Sequence, residues 1–291
     1  MILEKESEIK ILRNFYENPF EYFSIAEISE KTDISRNWTY KVMGKLVNSG
    51  ILSESGKKYK LDFSNIFCKR LKLLFDADFL ESQESGIGRR ILSIADKIRF
   101  EASPESVMLV GSAAMQKMRK TSDLDFLVVG GKKEKIPFVE NANIVSVSEK
   151  ELTEKYVKGD DFIISALVFG KIIYDREYAV RFLESPLPIF SQELIQEKIK
   201  YCETLEERIY SLLKIDETEA KNELLYLALQ AGRLVLLRKR IVPKTKHDIA
   251  MQVKPYEKEL SGIILRLLEG KKMSAKDMLD CAKKCMSVAK S

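Results

Sequence analysis

Asp123 and Asp125 are the residues of this chain best placed to do chemistry. They stand in the stretch 107–129, VMLVGSAAMQKMRKTSDLDFLVV. An apolar run, 107–110, enters a turn at Gly111-Ser112, and a second apolar run, 126–129, follows Asp125. Both runs are short and bounded by turn residues, which reads as buried strands. Side chains alternate along a strand, so Asp123 and Asp125 share one face while Leu124 points into the core. Two like charges so close repel each other, which makes the pair a poor stabilising device. It makes a good divalent-metal site, because hard cations such as Mg²⁺ take oxygen ligands.

The Gly-Ser turn, the Asp-x-Asp pair and the 123 − 111 = 12 residues from Gly111 to Asp123 resemble the signature of the polymerase-β-type nucleotidyltransferases. Within these, the likeness is to the minimal and kanamycin-nucleotidyltransferase-like branches. The resemblance implies Mg²⁺ held by Asp123 and Asp125 as the catalytic, metal-binding pair, and an NTP as substrate. It implies a triphosphate approaching the backbone N–H groups at Gly111 and Ser112, with the Ser112 hydroxyl as a further donor. Lys117, Arg119 and Lys120 lie in the intervening loop, either to offset that charge or as solvated loop charges. An NMP would pass to a hydroxyl acceptor and pyrophosphate would leave. These families place a third carboxylate on the next strand, and that position is Asn143 here. Either Glu140 substitutes, or an acid from Asp160-Asp161, or the third function is missing. An amide cannot take a proton at neutral pH.

The elements that must position this site begin with residues 1–63. Ile9, Ile11, Leu12 and Phe15 predict a first helix that stops near Asn18-Pro19. Ser24 and Glu27 form a capping box for a second helix, 25–31, and Ser35 caps a third, 36–48, with Val42, Met43, Leu46 and Val47 as its apolar face. A hairpin turning at residues 54–56 completes a pattern that resembles a winged helix-turn-helix. Residues 36–60 carry six basic side chains against Glu54, 6 − 1 = +5, while residues 1–35 carry 4 − 8 = −4. The positive charge is concentrated where a recognition helix meets phosphate. The candidate DNA contacts are Arg36, Asn37, Tyr40, Lys41, Lys45 and Lys58, with Trp38 beside them. The competing reading is a dimerisation or packing module.

Residues 64–103 read as a helical connector, with Phe67, Leu71, Leu74 and Phe75, then Ile91, Ile94 and Ile98, at helical spacing as core or interface. A break is expected at residues 85–88. The nucleotidyltransferase domain is placed at 104–186, followed by a helical domain at 187–291, similar to substrate-binding or HEPN-type bundles. Arg240 and His247 are a weak match to the RNase motif of the latter. The fold class is therefore multidomain α+β: N-terminal winged helix, central mixed-sheet nucleotidyltransferase domain and C-terminal helical bundle.

Composition sets the outer bounds. The chain has 291 residues, is 45% hydrophobic and carries 49 − 44 = +5 formal charges, so ordered cores are expected. Cys68, Cys202, Cys281 and Cys285 form no C-x-x-C, and His247 is the single histidine. Zinc chemistry has little material, and reduced thiols with a cytoplasmic location are the expectation. The start has no apolar signal core, and no run reaches the ~18 residues of a membrane span. The combined reading is a Mg²⁺-dependent nucleotidyltransferase with a DNA-binding winged helix, acting on NTP and a protein or small-molecule acceptor, as a monomer or homodimer. Its alternatives are a degenerate, nucleotide-sensing DNA-binding transcriptional regulator and an antitoxin-like, protein-modifying nucleotidyltransferase.

Overall fold

The computed structural model describes residues 5–83, 85–115, 123–185, 187–188 and 190–291. The chain is a mixed α+β protein with a mixed sheet and a helical C-terminal region. It divides into two compact units, Met1–Leu152 with Ala166–Leu187, and Thr153–Ser165 with Pro188–Ser291.

The first unit opens with three helices, α1 (Glu6–Glu17), α2 (Ile25–Thr32) and α3 (Arg36–Asn48). Ser24 accepts the Glu27 N–H while Glu27 reaches back to the Ser24 backbone, so α2 starts on a complete capping box. Ser35 accepts the Trp38 N–H at the start of α3. Strands β1 (Leu52–Ser55) and β2 (Lys58–Leu61) pair antiparallel across a two-residue turn. Gly56 and Lys57 both have positive φ, +56° and +64°, the backbone that matches a tight hairpin's twist. Phe23 exchanges two backbone hydrogen bonds with Tyr59, each 2.8 Å, which adds a third short rung. Ile11, Leu12, Phe15, Ile28, Val42, Met43 and Leu46 close the core between the helices.

Helices α4 (Ile66–Glu81) and α5 (Ser85–Ala102) follow. The expected break falls earlier than residues 85–88, because Ser85 already opens α5 and Gly86 and Gly88 lie in its first turn. The apolar stripe on α4 also divides. Phe75 is buried, but Phe67 is 56% and Leu74 61% exposed. In their place α4 buries Lys72 and Asp76, an i,i+4 ion pair. The Asp76 carboxylate accepts the Ile172 N–H at 2.9 Å and Lys72 donates to the Gly170 carbonyl at 3.2 Å.

The sheet explains that burial. Its order is β5 (Ala142–Val147), β4 (Leu124–Val129), β3 (Ser106–Val110), β6 (Lys171–Asp175). Strand β3 pairs antiparallel with β4 and β6, and β4 pairs parallel with β5. As an edge strand, β6 presents N–H groups with no strand partner, and Asp76 satisfies one of them. Ile91, Ile94 and Ile98 of α5 pack with Val107, Leu109, Leu124, Phe126 and Val128, so this helix covers one face of the sheet. By alternation, Asp125 belongs to the opposite face.

The remaining elements among the described residues are a short α6 (Gly111–Ala114), α7 (Glu149–Lys158), α8 (Asp161–Phe169), two 3-10 turns (Lys133–Lys135 and Val180–Glu184) and five helices of the C-terminal region. These are α9 (Gln192–Leu212), α10 (Glu217–Arg238), α11 (Lys246–Val253), α12 (Lys258–Leu268) and α13 (Ala275–Lys290). Helix α10 is buried almost all round, and Cys202, Cys281 and Cys285 sit in its surrounding core. Burial pushes the Cys202 thiol up to about 11 and, in the first unit, Cys68 up to about 12. These thiols are small core residues and not nucleophiles. Among the described residues, no helix is long and apolar enough to cross a membrane.

Candidate active site

Three neighbouring strands converge on one end of the sheet. Strand β3 ends at Val110, which faces Asp125 in the antiparallel register. Strand β5 places Asn143 opposite Asp125 in the parallel register. Gly111 therefore leaves β3 directly beside Asp125. It has φ +69°, and a Cβ on it would lie 2.5 Å from the Asp125 Oδ2. Only glycine combines that backbone with that approach. The turn then enters the single helical turn α6, with Ser112 half-buried behind it.

Asp123 immediately precedes β4 and is exposed, whereas Asp125 is half-buried within it. Asp125 lies on the face away from α5, and Asp123 stands two residues before it, just outside the strand. Asn143 is exposed, and its Nδ2 lies 3.4 Å from the Asp125 Oδ1. The position opposite Asp125 thus holds an amide. Two of the three proposed substitutes, Asp160 and Asp161, have carboxylates held in other contacts. Asp160 accepts the Ile163 N–H at 3.0 Å. Asp161 is buried between Lys198 at 2.7 Å and Arg233 at 2.9 Å. Burial raises its pKa, but these two cations outweigh it and hold the carboxyl below the usual range. Glu140 is exposed and its backbone carbonyl accepts from Arg90 at 2.9 Å.

The donor set fits a hard divalent cation, since Asp123 and Asp125 offer two carboxylates at a strand end with close backbone access at Gly111. It fits with two acids and not three, and among the described residues no group of three or more His, Cys, Asp or Glu side chains is assembled to hold a metal. Lys117, Arg119 and Lys120 lie outside the described residues, as does Ser122.

The second group of candidate residues lies on α3 and the hairpin. Arg36, Asn37, Tyr40 and Lys41 are exposed on one side of α3, and Lys58 is exposed on β2. Lys45 is drawn away from that surface, because its Nζ lies 3.0 Å from the Oε1 of Glu8, which is buried. Trp38 is likewise committed: its indole N–H donates to the Ser7 Oγ at 3.0 Å and Lys5 covers its ring. Tyr22 was not singled out in the sequence, yet its ring is 43% exposed with Lys60 5.0 Å from its centroid. Its place one residue before the Phe23–Tyr59 bridge is a tertiary fact with no local signal. Arg240, just past α10, and His247, in the first turn of α11, stand on separate elements.

Residues 91–188 match the family model described as nucleotidyltransferase domain. Among solved structures, the chain is similar to a nucleotidyltransferase-like protein from Exiguobacterium sibiricum, at 12% identity, with 69% of this chain and 74% of that one covered. The TM-score of that pair is 0.39, too low to define a shared fold. No curated protein matches the sequence.

Proposed function

We propose that this chain is a Mg²⁺-dependent nucleotidyltransferase that takes an NTP at the sheet end formed by Gly111, Ser112, Asp123, Asp125 and Asn143. The matched nucleotidyltransferase domain supports nucleotidyl transfer in general. The observation that carries the finer reading is the register: a glycine turn, the Asp125 carboxylate and the neighbouring strand's polar residue meet at one point, with Asp123 two residues before Asp125. Asp123 and Asp125 would hold the metal, which when bound supplies charge neutralisation and Lewis acidity at the reacting phosphate. The chain's own part is positioning. The backbone at Gly111-Ser112 admits the phosphates closely, and the missing Cβ leaves the Asp125 carboxylate in place. The acceptor hydroxyl oxygen forms a bond to the α-phosphorus, the bond from that phosphorus to the bridging oxygen breaks, and pyrophosphate departs. The hydroxyl proton goes to a solvent water, since the Asn143 amide does not accept it.

We further propose that residues 1–63 are a winged helix that binds duplex DNA through Arg36, Asn37, Tyr40, Lys41 and Lys58. Three helices, a tight hairpin and an exposed polar, basic side of α3 support this. The amide at Asn143 favours a second reading, a DNA-binding regulator that binds NTP without turning it over. Incubation with α-phosphate-labelled NTP and Mg²⁺ separates the two. The enzyme reading expects label on an acceptor, lost in Asp123→Ala. The regulator reading expects NTP binding with no transfer, and label transfer appearing only in Asn143→Asp.

A further inference from the structure

We infer that a second copy of this chain docks antiparallel along the solvent face of α4, making the DNA-binding unit a two-fold dimer. The inference extends the winged-helix reading and rests on it for its purpose, though not for its geometry. Helix α4 exposes Ile66, Phe67 and Leu74 at 59%, 56% and 61%. Phe67, Arg70, Leu74, Ala77 and Glu81 follow each other at spacings of three, four, three and four residues, the seam of a two-helix contact. All five are exposed. A stripe with large apolar groups on an otherwise capped and packed helix marks a covered surface.

Charge selects the occupant. The first half of the stripe carries Arg70, and the last half carries Glu81 with Asp78 exposed beside it. Antiparallel pairing of two identical helices about Leu74 sets each basic half against the other's acidic half. Parallel pairing would set like against like. The present partners do not lock Arg70 and Asp78: Arg70 meets Glu177 and Asp78 meets Arg13 in surface pairs, each side chain more than 40% exposed, while Lys69, beside the stripe, stays paired with Glu184. Such pairs contribute little and exchange readily. The contact is one helix long, smaller than a standard protein interface, so the dimer is concentration-dependent. Two-fold pairing would present two copies of α3 to DNA, as half-sites require.

The experiment is sedimentation equilibrium of the intact chain without DNA or NTP. Wild type is expected to pass from monomer to dimer over micromolar concentrations. Leu74→Asp is expected to stay monomeric, with its circular dichroism and melting unchanged since the side chain is exposed. Arg70→Glu weakens the dimer about tenfold, and adding Asp78→Arg and Glu81→Arg restores it. A wild type that is monomeric throughout, or a dimer indifferent to Leu74→Asp, overturns the inference. So does a failed restoration, which would mean that generic stickiness drives association. Loss of DNA binding in an Arg36→Ala variant that still dimerises tests the winged-helix reading separately.

Discussion

Asp76 and Asp125 are both aspartates lying against the same four-stranded sheet, and they are treated oppositely. Asp76 is buried, bonded to Lys72 and to the Ile172 N–H, with the Lys171 Nζ 4.0 Å away. Asp125 is half-buried and faces a glycine on one side and an amide on the other. Asp161, in the other unit, repeats the first pattern with Lys198 and Arg233. A structural carboxylate is matched with cations and donors wherever water is excluded. Asp125 instead stands between Gly111 and Asn143 at a strand end, with a second acid, Asp123, two residues before it.

Variants sharpen the contrast in order of expected effect. Asp125→Ala should lower nucleotidyl transfer by about 10³-fold, since a metal ligand contributes several kcal/mol to the transition state. Its thermal midpoint should move little. Asp76→Ala should do the reverse. It strands Lys72 in the interior, which costs about 3–5 kcal/mol on urea denaturation, with the site's chemistry intact in the fraction still folded. If Asp125→Ala proves the more destabilising of the two, the division of roles is wrong.

Gly111→Ala tests the contact between the turn and the carboxylate. A methyl group there would meet the Asp125 Oδ2 and sit at φ +69°. The strain is about 1–2 kcal/mol, and transfer should drop by roughly 10-fold or more as Asp125 is displaced. Unchanged activity would mean that Asp125 does not work from the position seen here.

The smallest effect concerns the buried cluster. Burial, with Lys72 nearby, pulls the Lys171 pKa down to about 8 from its ordinary 10.5. Between those values the unfolded chain binds more protons than the folded one, so this group makes stability rise with pH through that window. Below pH 8 the cost of holding it charged is present in full. Lys171→Met should therefore stabilise the chain at pH 7 by about 2 kcal/mol, an advantage that shrinks between pH 8 and 10. Denaturation curves at pH 7 and 9.5 measure the difference.

Local features were legible in the sequence and tertiary ones were not. The Ser24 capping box, the Ser35 cap, the bounds of α3 and the strands around Gly111 and Asp125 are set within a few residues by hydrogen bonds and alternation. The alignment of Asn143 with a missing acid was also readable, and the register places it opposite Asp125. Lys72 and Asp76 were not singled out in the sequence, because nothing nearby in the chain says that an edge strand will cover them. Phe67 and Leu74 read as core or interface, and spacing alone does not say which stripe of a helix a neighbour in the same chain takes. The bonds of Lys45 to Glu8 and of Trp38 to Ser7, each more than thirty residues away in the chain, are tertiary facts that the local pattern does not carry.

The central claim is that Asp123 and Asp125 hold a metal-bound nucleotide, whether or not transfer follows. Calorimetric titration of NTP into the intact chain, with and without Mg²⁺, tests it directly. Binding in the micromolar to millimolar range is expected, dependent on Mg²⁺ and weakened about 100-fold or more in Asp125→Ala. Wild-type protein that binds no NTP with Mg²⁺ present, or Asp125→Ala that binds it equally well, would contradict the account.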